Sequence, residues 1–126
     1  MGGLLWPRAR QRRATYALTV LGLMLLLALL GVGAAGAGVL GVLAVPLALL
    51  LAWMGGVNTV RRLHDMDRSG WHLAWIIALS TLGNLLGQAG QAALSGVLGV
   101  ASLAVFLGLC LIPGTHGPNR FGPPQA

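Results

Sequence analysis

The residues able to do chemistry crowd into one stretch, Arg61-Arg62-Leu63-His64-Asp65-Met66-Asp67-Arg68-Ser69-Gly70-Trp71, which holds both acids of the chain and three of its eight arginines. Imidazole and carboxylate are competent ligands for zinc or manganese, so His64, Asp65 and Asp67, joined by His72 or His116, form the first grouping to weigh. Their spacing argues against it. Adjacent residues on a helix point in different directions, no cysteine accompanies them, and the neighbouring arginines repel a cation; no metal site is expected. A His64–Asp65 acid/base couple fails for a related reason, since neighbours on one helix do not orient each other as a catalytic pair requires. No Gly-x-Ser-x-Gly elbow, phosphate loop or His-Glu-x-x-His is present. The chain therefore reads as a non-enzyme with no catalytic residue and no cofactor.

Two uses of the cluster remain. Guanidinium groups near a helix start can fork onto phosphate, so a lipid head group or another anion is one class of ligand. The other use is structural. Asp65 stands four residues after Arg61 and three after Arg62, spacings that stabilise a helix by about 0.2–0.5 kcal/mol per pair. Asp65 and Asp67 can also neutralise arginines from distant segments, with the tail Gly114–Pro124 folding across them and Asn119 and Arg120 bonding back to the loop. The candidate anion- or partner-binding cap is thus Arg10, Arg13, Arg61, Arg62, His64, Asp65, Arg68, Asn119 and Arg120. Ser69 or Asp67 is placed to cap the helix that follows, and Gly70 to release the turn into it.

The elements that position this cap follow from the charge gaps. Only 8% of the residues are charged and 56% are hydrophobic, whereas soluble domains carry about 25% charged residues. Lipid is the expected solvent. No charge occurs between Arg13 and Arg61, or between Arg68 and Arg120, and either gap as one helix would run roughly 70 Å, over twice the apolar thickness of a bilayer. Each gap therefore holds two crossings. Glycines at 31, 33, 36 and 38 break the first gap into helices at about 17–35 and 39–57, the second of these kinked by Pro46. The second gap breaks near Gly87–Gly96 into helices at about 71–86 and 94–112. Segments 1–16, 58–70 and 113–126 then share one side and carry every arginine, which places them in the cytoplasm by the positive-inside rule. Trp6, Tyr16, Trp53 and Trp71 are expected at that interface. Basic residues, an apolar run and the small-residue patch Gly33–Ala37 also have the outline of a signal peptide. The run is long for one, and its removal would leave an odd number of crossings.

Inside the membrane, Ser80, Asn84, Gln88 and Gln91, continuing to Ser95, recur at near-helical steps and form a candidate polar stripe, the mark of a water or substrate route or of interhelical hydrogen bonding. Gly83 and Gly87 make a small-xxx-small pair, expected to bring helices together within one bundle more readily than between copies.

Three segments carry a resemblance. Arg61–Asp65 followed by Arg68–Trp71, the tail Pro113–Pro123, and Arg10, Arg13 and Tyr16 leading into the first helix resemble the signatures of a family of small bacterial inner-membrane proteins known as domain of unknown function 805. Ala9, Ala17 and Pro124 stand where the family usually has glycine, tryptophan and aspartate. The resemblance implies a fold and a membrane, and no activity. Together these readings predict an all-α membrane protein, a single domain of four transmembrane helices in a bundle with a short cytoplasmic cap. Its expected partners are anionic lipids of the cytoplasmic leaflet, with a homo-oligomer or a membrane protein partner also open, and no nucleic acid. The expected role is a structural or interaction module; the alternative is a small transporter or channel component.

Overall fold

A computed structural model describes residues 10–36 and 38–124; Trp6, Arg8, Ala9 and Ala37, on which expectations above rest, lie outside them. The described chain is all-helical, with α1 (Arg13–Ala34), α2 (Val39–Asp65), α3 (His72–Gln88) and α4 (Ala92–Leu111) in order. Helices α1, α2 and α4 are long and apolar enough to cross a membrane. At 17 residues, α3 spans about 25 Å, short of the roughly 30 Å apolar layer.

The helices form two hairpins. α1 packs along α2 and α3 along α4, whereas contact between the hairpins is thin, and among the described residues the α1 backbone makes no close approach to α3. Close approach in each hairpin depends on glycine. A side chain at Gly41 would press on the Ala34 carbonyl oxygen at 3.1 Å, and one at Gly83 would meet Cβ of Leu98 at 3.3 Å. Gly87 faces the Ser95 hydroxyl in the same way, so the glycine pair joins α3 to α4 within the chain.

The exposed surface is apolar: Val32, Val39 and Leu18 are 79%, 81% and 74% exposed. Such a surface suits hydrocarbon, not water. Buried packing is concentrated at the arginine-bearing end, where Tyr16, Val20, Leu63 and Leu109 form the core with Phe106 and Val105 against them.

Two boundaries differ from the sequence reading for one reason. Hydropathy marks where lipid ends, and a helix can continue past that point. α1 starts at Arg13 and α2 runs on to Asp65, so most of the expected 58–70 loop is helix. The 27 residues of α2 give it about 40 Å, and its last two turns carry the charges beyond the apolar layer. Pro46 lies within α2 without ending it. The extension leaves Trp53 about 18 Å along the helix from Asp65. Tyr16 is turned into the core: it is 2% exposed, with its hydroxyl 3.4 Å from Thr59 Oγ1.

The connection between α2 and α3 is a tight reversal. Asp67 takes a left-handed conformation, φ 55°, while the amides of Asp67 and Arg68 donate to the carbonyls of His64 and Leu63. This is a Schellman closure, which answers helix-end carbonyls otherwise lacking donors. The expected capping of α3 takes another form, because no side chain caps its first residue. Ser69 Oγ instead accepts from the Trp71 amide at 3.4 Å. Nor does Gly70 serve as a left-handed hinge: a Cβ there would lie 3.0 Å from Val60 Cγ1, so its role is close packing on α2.

Candidate functional site

The arginine-bearing end is built around one carboxylate. Asp65, the last residue of α2, is 5% exposed. Its Oδ1 accepts from Arg10 Nε at 3.1 Å, and its Oδ2 from Arg62 Nη1 at 2.5 Å. Arg62 is fully buried and Arg10 is 3% exposed. Two cations around one anion leave excess positive charge in a buried site, and main-chain carbonyls disperse it.

Those carbonyls come from distant parts of the chain. Arg10 donates through Nη1 to Gly117 O at 2.6 Å and to Gly122 O at 3.2 Å, and through Nη2 to Thr115 O at 2.6 Å. Arg62 donates through Nε to Leu109 O at 2.6 Å, and through Nη2 to Ile112 O. Arg13 Nη1 reaches Leu111 O at 3.1 Å. The last carbonyls of any helix lack intrahelical donors and form the negative end of its dipole. α4 has no basic residue in its last turn, so arginines from α1 and α2 supply both the donors and the charge.

The tail is sewn to the same end. The Thr115 amide donates to Asp65 O at 2.8 Å, and the Gln11 amide to Arg61 O at 3.1 Å. Asn119 Nδ2 donates to His64 O at 2.9 Å, and Asn119 and Gly122 exchange main-chain bonds in a tight reversal. Phe121 stacks on His64, with ring centroids 4.0 Å apart and planes 7° apart. On the outside, Arg120 Nε lies 3.2 Å from Asp67 Oδ1. Gly114 sits so close that any side chain would overlap the Asp65 carboxylate.

Arg10, Arg62, Asp65, His64 and Asn119 therefore converge, with Arg13, Arg61 and Arg120 on the same assembly. Arg68 is exposed at its side. Arg10 and Arg62 face inward, and Arg13, Arg68 and Arg120 are exposed. Gly114 and Thr115 join the assembly as part of the tail expected to fold across the acids, whereas Gln11 joins it with no signal in sequence beyond its place beside Arg10. Among the described residues no three of His, Cys, Asp and Glu stand together as a metal-ligating group.

The polar stripe is divided. Ser80 and Asn84 lie on α3, Gln88 is its last residue, and Gln91 falls in the turn before α4. Asn84 Nδ2 donates back to Ser80 O at 2.9 Å, and Gly90, φ 80°, closes α3. Of these residues, Ser80 borders a cavity of about 570 Å³ between the hairpins, lined by all four helices and including Tyr16, Thr59, Ser102 and Phe106.

Residues 4–123 match the family described as protein of unknown function DUF805, and the chain belongs to that family. No curated protein and no solved structure matches it.

Proposed function

We propose that this chain is a non-enzymatic structural or interaction module of the bacterial inner membrane, crossing it four times with both ends and the arginine cap in the cytoplasm. The observation that carries this reading is the use made of the cap's polar groups. Asp65 is enclosed by Arg10 and Arg62, and Asp67 is paired with Arg120. A site evolved for turnover keeps polar groups free for a substrate; here they tie three chain segments into one surface. α3, though short, is antiparallel to its hairpin partner and needs only modest bilayer thinning or flanking-residue adjustment to complete a crossing. The exposed arginines Arg12, Arg13 and Arg68 then face the anionic cytoplasmic leaflet, each attracted by about 1 kcal/mol.

Native mass spectrometry of the protein released from its own membrane, beside His64→Ala, tests this reading. Lipid adducts alone, the same in both, are expected. A discrete non-lipid molecule bound to wild type and absent from the variant would overturn it. The subunit count from the same spectra reads out self-association.

One observation favours the transporter alternative. The cavity between the hairpins, apolar over most of its lining, is bordered by Ser80 and Ser102, and polar residues within a bundle mark routes as well as packing. Replacing Ser80 and Ser102 with leucine fills that route and leaves the cap untouched. Loss of the physiological phenotype with normal membrane abundance would favour transport; an unchanged phenotype favours the module.

A further inference from the structure

Beside the cap lies a second feature that its hydrogen bonds do not explain. A groove of about 500 Å³ runs between the ends of α2, α3 and α4. Its floor is apolar, formed by residues such as Met66, Ile76, Val105 and Gly108, and its rim carries Arg68, His72 and Trp75. Arg68 is exposed, and its guanidinium takes no part in the bonds that hold the tail. The nearest acid in sequence, Asp67, is already matched by Arg120, so the cation at the rim is not neutralised by it.

The rim's second donor follows from tautomer chemistry. Trp75 Nε1 lies 2.8 Å from His72 Nδ1, and an indole N–H only donates. His72 Nδ1 is therefore the acceptor, and its ring proton resides on Nε2. Arg68 and the remaining N–H of His72 thus give the groove's lining a cation and a neutral donor. Trp71, 84% exposed, and Trp75, 48% exposed, flank it, as amphipathic rings do at the depth of lipid head groups.

We infer that this groove holds one anionic phospholipid, its phosphate on Arg68 and His72 and an acyl chain along the apolar floor. This deepens the lipid-contacting module reading and rests on it. The occupant is set by the pairing of a basic rim with an apolar trough, which matches an amphiphile with a negative head. The volume falls within the range of about 300–1,000 Å³ usual for small-molecule sites. Gly108 keeps the trough deep. A Cβ there meets only Ile112 Cδ1, at an ordinary 3.5 Å, so the start of a side chain is accommodated at a position that lines the groove.

Delipidated full-length protein in detergent, titrated with phosphatidylglycerol or with phosphatidylcholine of identical chains and read by native mass spectrometry, tests the inference. Wild type is expected to bind one phosphatidylglycerol in preference to phosphatidylcholine. Arg68→Gln should weaken phosphatidylglycerol about fivefold or more, the loss of one charge–phosphate attraction, and bring the two lipids together. Gly108→Leu, with every charge intact, should weaken both lipids by a similar factor. Melting temperatures of both variants should stay at the wild-type value, which separates groove loss from unfolding. Preferential binding in wild type that neither variant alters overturns the groove while leaving a lipid-contacting cap in place. Sensitivity to Arg68→Gln but not to Gly108→Leu also overturns it, reducing the effect to surface charge. Absence of any preference in wild type removes the groove and the lipid-contacting reading together.

Discussion

Neutralising Asp65 is the perturbation that the structure makes most informative. Asp65→Asn keeps the shape of the side chain and removes its charge, leaving Arg10 and Arg62, 3% and 0% exposed, without their shared counter-ion. Removing one partner of a buried ion pair usually costs about 3–5 kcal/mol, because the remaining charge stays desolvated. Two cations are stranded here, which pushes the effect up. Both keep main-chain acceptors at Thr115, Gly117, Leu109 and Ile112, which pulls it down, and a loss of about 3 kcal/mol is expected. Reversible unfolding in mixed micelles gives the total, and hydrogen exchange locates it. The Thr115 amide, bonded to the Asp65 carbonyl, should exchange faster in the variant, while amides in the middle of α4 change less. A double-mutant cycle with Arg10→Gln should return a coupling of about 1–3 kcal/mol. Unfolding free energy within about 0.5 kcal/mol of wild type, with Thr115 still protected, would refute the claim that this carboxylate holds the tail.

Arg62→Lys should destabilise by about 2 kcal/mol despite keeping the charge, because one ammonium cannot reach Asp65, Leu109 and Ile112 as the guanidinium fork does; an unchanged melting temperature would refute this. Gly114→Ala drives a methyl into the Asp65 carboxylate and should release the tail, at about 1–3 kcal/mol for overpacking, visible as faster proteolysis after Arg120. Gly83→Ala should destabilise more than Gly87→Ala, since the first meets a Cβ on α4 and the second a hydroxyl that can rotate away; thermal unfolding of the two variants side by side ranks them. Phe121→Ala removes the stack on His64 and should cost about 0.5–1.5 kcal/mol, with increased exchange confined to the tail.

Much of the fold was legible because membrane insertion reads local composition. Apolar stretches of the right length and the glycine-rich breaks between them depend on neighbours in sequence, and they placed each helix to within a few residues except where α2 continued. That exception is itself informative: Arg61, Arg62 and Asp65 sit at helical spacing, so the helix persisted where hydropathy had already ended. The crowding of chemistry at Arg61–Trp71 was visible in the same way, as was the scarcity of acids that made Asp65 a hub.

What sequence could not assign was the partner of each charge. Asp65 had Arg61 and Arg62 as local neighbours, and Arg62 takes it along with Arg10, which lies 55 residues away. Nothing in the order of residues says that the bare end of α4 would be capped by Arg62 and Arg13, or that within the tail it is the Thr115 amide that donates to the Asp65 carbonyl. Those pairings depend on which helix ends the two hairpins bring together, and on which carbonyls that packing leaves without donors. The tertiary structure likewise divided the polar stripe, because the reversal at Gly90 ends α3 before Gln91 and leaves Ser80 bordering the cavity without the two glutamines. Local pattern determined the elements and the solvent they require; the long-range matching of buried charges to unsatisfied carbonyls decided how the elements are tied.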